Sequence, residues 1–469
     1  MTDQAARGTR TSGLDLHLGH IGRNVRADLM DAFREAIRTG RLAPGTRLPS
    51  SRVLATDLGL GRNTVVRVYS ELINEGWLTG LHGSGTEVSQ RAAEVDDRKR
   101  LRTPGTRPQP AHDLRPGRPD LSSFPRAEWI RAVKRTVSTV PFDAFGYADS
   151  HGMSELRDVL ARYLARARGL RARADNVVVC SGAAEGLRLV ATALARAGVT
   201  TVAVEEFGLQ TQRKALLDAG IDAVPIPVDA DGADVSTLDR APAPGAVLLT
   251  PSHQFPLGVA LHSARRAAVV DWARRRGKLI IEDDYDGEFR YDRSPVGALQ
   301  GLDHNHVIYL GTASKSLAPG LRLGWLVLPD HLVGPIVTEK GDTEETVGFV
   351  NQLAMTEFVE SGAYDRHIRL MRSQYRRRRQ QLVETISRHS PSAQVAGMSA
   401  GLHVLVEAPG RTGAELVRRA AREQLMVEPL DFFRHPGSTS DRDGVVVGFA
   451  APSPSAWSGV LDALVRALR

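Results

Sequence analysis

Apolar residues recur at four-residue spacing from Leu29 through Phe33 to Ile37, while Arg26, Arg34 and Arg38 fall on other faces, which predicts an amphipathic helix. Gly40 and Pro44-Gly45 end it. A serine cap and a short helix burying Val53, Leu54 and Leu58 follow, closed by Gly59. After a tight turn, residues 61–76 form a third helix with Val65, Tyr69, Leu72 and Ile73 inward and Arg62, Asn63, Thr64 and Arg67 exposed at its start. Residues 77–88 read as a two-stranded hairpin with His82-Gly83 at its tip. Two short helices joined by a tight turn and followed by a hairpin form a winged helix-turn-helix, whose exposed start can reach base edges and phosphates. A small helical protein-binding domain is the competing reading, which the hairpin disfavours.

The pattern then breaks. Residues 1–13 are polar and expected to lie outside any fold, and residues 89–112 alternate Arg91, Arg98, Lys99, Arg100, Arg102 and Arg107 with prolines, a composition that cannot bury a core. That stretch reads as a solvated linker, with a secondary DNA contact as the alternative. From Asp113 onward, short apolar runs at 177–179, 202–204, 224–228, 246–250, 279–281 and 307–310 alternate with helical stretches, as buried parallel strands with crossover helices do. The expected organisation is a winged helix-turn-helix at 14–88, a linker at 89–112, and an α/β domain at 113–469. The last has a large part to about 330 and a smaller α+β part from about 331, with strands at 403–406 and 445–449. The arginine run 372–379 reads as a solvated helix face.

Length and composition fit that plan: 469 residues, 42% hydrophobic and 25% charged, suit two or three soluble domains. A formal charge of +7 permits an acidic polymer as partner without requiring one. Residues 1–90 carry eleven arginines against nine acids, so DNA affinity would depend on where the arginines lie and on two copies acting together. The single cysteine, Cys180, excludes an intrachain disulfide, and no run of about 18 apolar residues suggests a membrane span. A cytoplasmic location is expected.

The chemistry concentrates in Leu310-Gly-Thr-Ala-Ser-Lys-Ser-Leu-Ala-Pro-Gly-Leu-Arg322, where Lys315 stands among hydroxyl residues seven positions before Arg322. A lysine amine can condense with an aldehyde once its pKa is lowered, whereas Thr312, Ser314, Ser316 and Arg322 suit a phosphate dianion. Pyridoxal phosphate meets both demands. Only 6 of the 61 basic residues are lysines, which weighs against a chance surface lysine in a serine-rich turn. Cys180-Ser-Gly-Ala-Ala-Glu-Gly186 lies between a strand and a helix, where Ser181, Gly182, Ala183 and Ala184 offer backbone N–H groups to a phosphate. Ile281-Glu-Asp-Asp-Tyr-Asp286 follows another strand, and such an acidic cluster can bind Mg²⁺ or face a pyridine nitrogen. The Lys315 segment about thirty residues on makes the metal reading weaker, and no metal is expected.

Two resemblances organise these motifs. Leu-Pro-x-x-Arg52, Leu-Gly, Arg62-x-Thr64, Gly-Trp-Leu and His82-Gly-x-Gly-Thr resemble the GntR family of bacterial winged-helix repressors. By that resemblance Arg52, Arg62, Asn63, Thr64 and Arg67 would contact phosphates or bases in the major groove, with His82 and Gly83 in the minor groove of double-stranded DNA. The later motifs resemble aminotransferases of fold type I, and Ser252-His-Gln-Phe-Pro256, Glu282-Asp-Asp-Tyr-Asp286 and Tyr147-x-x-x-x-Gly152 resemble the MocR family, in which an aminotransferase-like domain follows a GntR head. The resemblance implies Lys315 as the Schiff-base residue, Asp283 against the pyridine nitrogen with Asp284 as the alternative, and Tyr285 on the ring oxygen. It also implies His253 and Gln254 near the cofactor, and Tyr147 reaching the phosphate of the other subunit in a homodimer.

Two departures stand out. Leu209 occupies the place of a stacking aromatic ring, unless Phe207 or another residue supplies it, and Val446 stands where a substrate-carboxylate arginine is expected, with Arg442 out of register. The expected function is therefore a DNA-binding transcriptional regulator that senses pyridoxal phosphate, or an amine or amino acid linked to it, through an aminotransferase-like domain. The alternatives are an aminotransferase with an accessory DNA-binding domain and a regulator whose second domain only dimerises. With the carboxylate arginine missing, pyridoxal phosphate itself becomes a candidate effector, as in family members that control vitamin B6 synthesis.

Overall fold

The computed structural model describes residues 25–81, 85–89, 111–146, 149–240, 243–291, 296–341 and 347–469. The chain divides at residue 108 into two compact units. In the first, α1 (Val25–Arg38), α2 (Ser51–Asp57) and α3 (Arg62–Asn74) precede an antiparallel pair, β1 (Leu78–Leu81) and β2 (Gly85–Val88). Ser50 caps α2 by accepting from the Val53 N–H at 3.3 Å, which satisfies one of the donors a helix start leaves free. Leu29, Phe33, Leu54, Val65, Val68, Tyr69 and Leu72 form the core, and Tyr69 donates to the Pro49 carbonyl at 2.9 Å. Arg34 bonds Glu75 at 2.6 Å and Arg26 pairs with Glu71, so two of the helix 1 arginines clamp α1 to α3.

Two inward assignments change. Val53 and Ile73 are exposed, because the inward stripe of each helix runs through Leu54-Ala55 and through Val65, Val68, Tyr69 and Leu72. In α3 the 3.6-residue period selects Val68 rather than Ile73 as the fourth contact. The hairpin tip, with His82 and Gly83, lies outside the described residues.

The second unit is built on a seven-stranded sheet. Its strands are β3 (Val177–Cys180), β4 (Thr201–Glu205), β5 (Asp222–Ile226), β6 (Ala246–Leu249), β7 (Leu279–Asp283), β8 (Val307–Thr312) and β9 (Gly324–Val327), in the spatial order β3-β9-β8-β7-β6-β4-β5. β3, β6, β8 and β9 are buried at every position, as strands covered on both faces must be. The crossover helices include α4 (Ala183–Arg196), α5 (Gln210–Asp218) and α6 (Ser263–Arg276). Six strands match the expected runs; β9 is additional and antiparallel to both neighbours, pairing Thr312 with Gly324 on one side and Cys180 with Gly324 on the other. It hid in the sequence because it follows directly on the Lys315 segment.

The smaller lobe carries a four-stranded sheet of β10 (Gln394–Ala396), β11 (His403–Glu407), β12 (Glu428–Pro429) and β13 (Val445–Gly448), ordered β10-β11-β13-β12. His112–Asp113 pairs with Leu425–Met426, so the last residue of the expected linker already joins the second unit and belongs with the late part of the chain. The long helix α7 (Ala363–His389) carries the arginine run, which is not simply a solvated face. Arg378 is buried, donates to Asp120 at 3.1 Å and to the Ala450 carbonyl, and stacks on Trp457. The run spans two helix turns, so one of its members must face the core.

Candidate functional site

The carboxyl ends of the parallel strands converge on a cavity of about 240 Å³, the position at which open α/β sheets bind ligands. Its lining includes Gly182, Ala183 and Ala184 after β3, Asp283 and Tyr285 after β7, and Thr312, Ser314, Lys315 and Arg322 between β8 and β9. Ser181 sits beside it, within 3.5 Å of an Arg322 guanidinium nitrogen. Gly182 adopts φ 116° at the start of α4, and a Cβ on Gly324 would meet the Gly182 Cα at 2.8 Å. That close approach brings the exposed α4 N–H groups and the Arg322 loop to one wall. Arg322 itself holds φ 50°, an uncommon conformation for a side-chain-bearing residue.

Lys315 reaches across the cavity floor. Its Nζ donates to the Gly117 carbonyl at 2.7 Å, and burial lowers its pKa against the opposing pull of Asp283 and Asp286. Thr312 Oγ1 donates to Ser314 Oγ at 2.9 Å and accepts from the Ser314 N–H at 3.1 Å, fixing both hydroxyls at the same wall.

The adjacent acids Asp283 and Asp284 diverge completely. Strand alternation turns Asp283 into the cavity, where Gln212 donates to Oδ2 at 2.6 Å and Oδ1 is buried without a partner. Burial, with the nearby Asp284 charge, pushes the Asp283 carboxyl up to about 7. Asp284 points the other way into a closed network, receiving Arg168 Nε at 2.7 Å and Tyr309 OH at 2.9 Å. Burial would raise it, but the Arg168 guanidinium holds it below the ordinary value. An acceptor as buried as Asp283 Oδ1 is costly to leave unpaired, so the cavity is shaped for a ligand carrying a donor at that point.

Tyr285 places its hydroxyl 3.1 Å from His253 Nδ1, and that nitrogen lies 2.9 Å from Asp286 Oδ2. Burial, then the Asp286 charge, raises the phenol well above its ordinary value, so it remains a donor. His253 and Gln254 do not line the cavity: His253 stands behind Tyr285, and Gln254 spends its amide on the Phe207 and Phe255 carbonyls at 2.8 and 2.7 Å. Tyr147 lies outside the described residues. Gly117 and Gln212 also line it and carry no motif that would have marked them, while Thr250 and Phe255 line it from the stretch that holds the Ser252–Pro256 motif, in which His253 and Gln254 were expected instead.

The far end of the cavity is apolar. Leu209 and Phe255 line it, whereas Phe207 is fully buried beneath Arg434. Val446 packs with Phe207, Phe255, Leu405 and Tyr285, and Arg442 turns away to Glu407 at 3.0 Å. Among the described residues, no group of three His, Cys, Asp or Glu side chains could hold a metal ion.

On the first unit Arg52, Arg62, Asn63 and Arg67 are exposed and Thr64 is half-buried, all on α2 and the start of α3. Arg26 and Arg34 are engaged with carboxylates. Arg52, Arg62 and Arg67 form no ion pair among the described residues, which leaves their guanidinium groups available to an external anion.

Comparison with known proteins agrees with this division. Residues 26–88 match the model of bacterial regulatory proteins of the gntR family, and residues 119–440 match aminotransferase class I and II. The chain is 31% identical over 463 residues to MocR of Rhizobium meliloti, described as a probable rhizopine catabolism regulatory protein, covering 94% of this chain and 93% of that one. It is 30% identical over 437 residues to the pyridoxine biosynthesis transcriptional regulator PdxR of Corynebacterium glutamicum, covering 92% and 93%. Among solved structures, the second unit resembles the α-aminoadipate aminotransferase LysN of Thermus thermophilus, with a TM-score of 0.68, 23% identity, and coverage of 76% of this chain and 91% of that one. The protein is thus a transcriptional regulator in which a helix-turn-helix head precedes an aminotransferase-like domain of fold type I. Head and domain together cover most of the chain in a single order. The chain belongs to the MocR family of GntR regulators. No helix among the described residues is long and apolar enough to cross a membrane.

Proposed function

We propose that this regulator binds pyridoxal phosphate in the second-unit cavity and that occupancy, by the cofactor or by an amine linked to it, changes how a dimer engages double-stranded DNA. The observation that carries the reading is the coincidence in one cavity of the Lys315 amine, the unpaired Asp283 Oδ1 and the phosphate-suited wall of Gly182, Ala183, Ala184, Thr312, Ser314 and Arg322. Pyridoxal phosphate, when bound, supplies an aldehyde that condenses with amines and a ring that withdraws electrons. Lys315, its pKa lowered by burial, has a larger neutral fraction for attack on a carbonyl. Asp283 would accept a ring N–H, Tyr285 would donate to a ring oxygen, and the α4 N–H groups with Arg322 would hold the phosphate.

The apolar far end favours sensing over transamination. Val446 offers no charge to a substrate carboxylate, and Arg442 is already paired. The winged unit would supply Arg52, Arg62, Asn63, Thr64 and Arg67 to the duplex, two heads per dimer reading a repeated site. Any switch between head arrangements requires the ligand to bind one arrangement better than the other.

The test is a titration of the full chain with pyridoxal phosphate, read by visible absorption, beside Lys315→Ala and beside binding to its own upstream DNA. A lysine-dependent band together with a ligand-dependent change in DNA affinity is expected. Absence of any lysine-dependent band would overturn the sensing reading, and steady turnover of an amino donor with a keto acceptor would replace it with the enzyme reading.

A further inference from the structure

The group behind Tyr285 is more elaborate than support for one phenol requires. His253 is buried, and its Nδ1 stands between the Asp286 carboxylate at 2.9 Å and the Tyr285 hydroxyl at 3.1 Å. Its Nε2 is buried without a partner. A carboxylate accepts but cannot donate, so the Asp286 contact fixes the proton on Nδ1, the form that also leaves no unpaired N–H at Nε2. The backbone enforces the placement from the smaller lobe. A Cβ on Gly401, whose φ is 69°, would lie 2.1 Å from the His253 ring and 2.7 Å from Asp286 Oδ2.

With Nδ1–H directed at Asp286 and at the Tyr285 oxygen, the hydroxyl proton of Tyr285 points away from the imidazole, toward an acceptor such as the adjacent Asp286 carboxylate. The His253 carbonyl at 3.2 Å is another such acceptor in the ligand-free cavity. We propose that His253 is a positioning residue: held in its Nδ1–H form by Asp286, it fixes the Tyr285 hydroxyl at the cavity wall with its proton available to an anionic ring oxygen of the bound pyridoxal compound. This rests on the proposed cofactor reading. The other groups facing the imidazole are few. The His403 ring from β11 lies 5.1 Å away between centroids, and burial holds its pKa well below the ordinary value. Lys315 acts on His403 from the cavity side, and Asp283 and Glu205 act on Tyr285. None of these offers Tyr285 a hydrogen bond; the Asp286 carboxylate can accept from it, and His253 Nδ1–H is the donor that reaches its oxygen.

The experiment is the pH dependence of the visible band of the full chain saturated with pyridoxal phosphate, in the wild type, Tyr285→Phe, His253→Phe, His253→Asn and the Tyr285→Phe/His253→Phe double variant. Loss of a hydrogen bond to a charged oxygen moves the band's pH midpoint by roughly one unit in Tyr285→Phe. His253→Phe should move it in the same direction by a smaller amount, the double variant no further than Tyr285→Phe alone, and His253→Asn, which keeps an amide N–H near the Nδ1 position, back toward the wild type. A purely structural role would weaken binding without moving the midpoint. A normal band whose midpoint is unchanged in His253→Phe, or unchanged in His253→Asn should the first variant not fold, overturns the positioning role and leaves the cofactor reading standing. Absence of a lysine-dependent band in the wild type overturns both.

Discussion

The two units of this chain use charge in opposite ways. The winged unit keeps a plain apolar core and leaves Arg52, Arg62 and Arg67 exposed outside it, without an ion pair among the described residues, whereas the second unit carries Asp283, Asp284, Arg168 and Lys315 inside. An external charge is free to meet any polyanion and contributes little to stability. A buried charge must be answered, either by a protein partner, as Arg168 answers Asp284, or by a proton or a ligand, as at the open Oδ1 of Asp283.

That contrast is breakable at several points. The largest effect is expected from Asp284→Ala, which leaves the buried Arg168 guanidinium without its carboxylate, only Ser252 Oγ and the Val296 carbonyl remaining, at a cost of about 3–5 kcal/mol. Thermal unfolding of the second unit would report it, and an unchanged transition would mean that the pair is relaxed by water.

Asp283→Asn should behave differently. Its folded value of about 7 lies above the ordinary carboxylate value. Between roughly pH 4 and pH 7 the folded state therefore holds the extra proton, and ligand-free stability falls as pH rises through that window. The asparagine variant, lacking that loss, should gain stability relative to wild type across the same range while binding pyridoxal phosphate more weakly. Unfolding scans at several pH values without ligand check the sign; a stability difference constant with pH would place the Asp283 titration elsewhere.

The smallest effect on folding is expected from Arg67→Ala. It should leave thermal stability unchanged, weaken DNA binding, and reduce the salt slope by about one if the side chain meets a phosphate. A variant that binds DNA as tightly, with the same slope, would remove Arg67 from the interface.

The fold was legible where one physical rule acted alone. Continuous valine-rich runs marked the buried strands, and helical periodicity marked the winged unit. It was less legible where two roles share one stretch. β9 was masked by the Lys315 segment, and Arg378 disappeared into a run of arginines in which its neighbours Arg376 and Arg377 face solvent. At the cavity, the hydroxyl-rich lysine segment nominated Lys315 and Arg322 and the family resemblance nominated Asp283 and Tyr285, and all four line it. Which of Asp283 and Asp284 faces inward depended on strand register, and Gln212 and Gly117 reach the cavity through tertiary packing that no local pattern encodes.

The pairing of β3 with β9 has a consequence for the order in which the protein comes into being. One wall of the cavity begins at Cys180, yet its neighbour in the sheet, Gly324, is synthesised 144 residues later. The winged unit is complete by residue 88. At ordinary translation speeds the head precedes closure of the cavity by on the order of ten to fifty seconds. During that interval the nascent chain can present a DNA-reading surface without the chamber that would govern it.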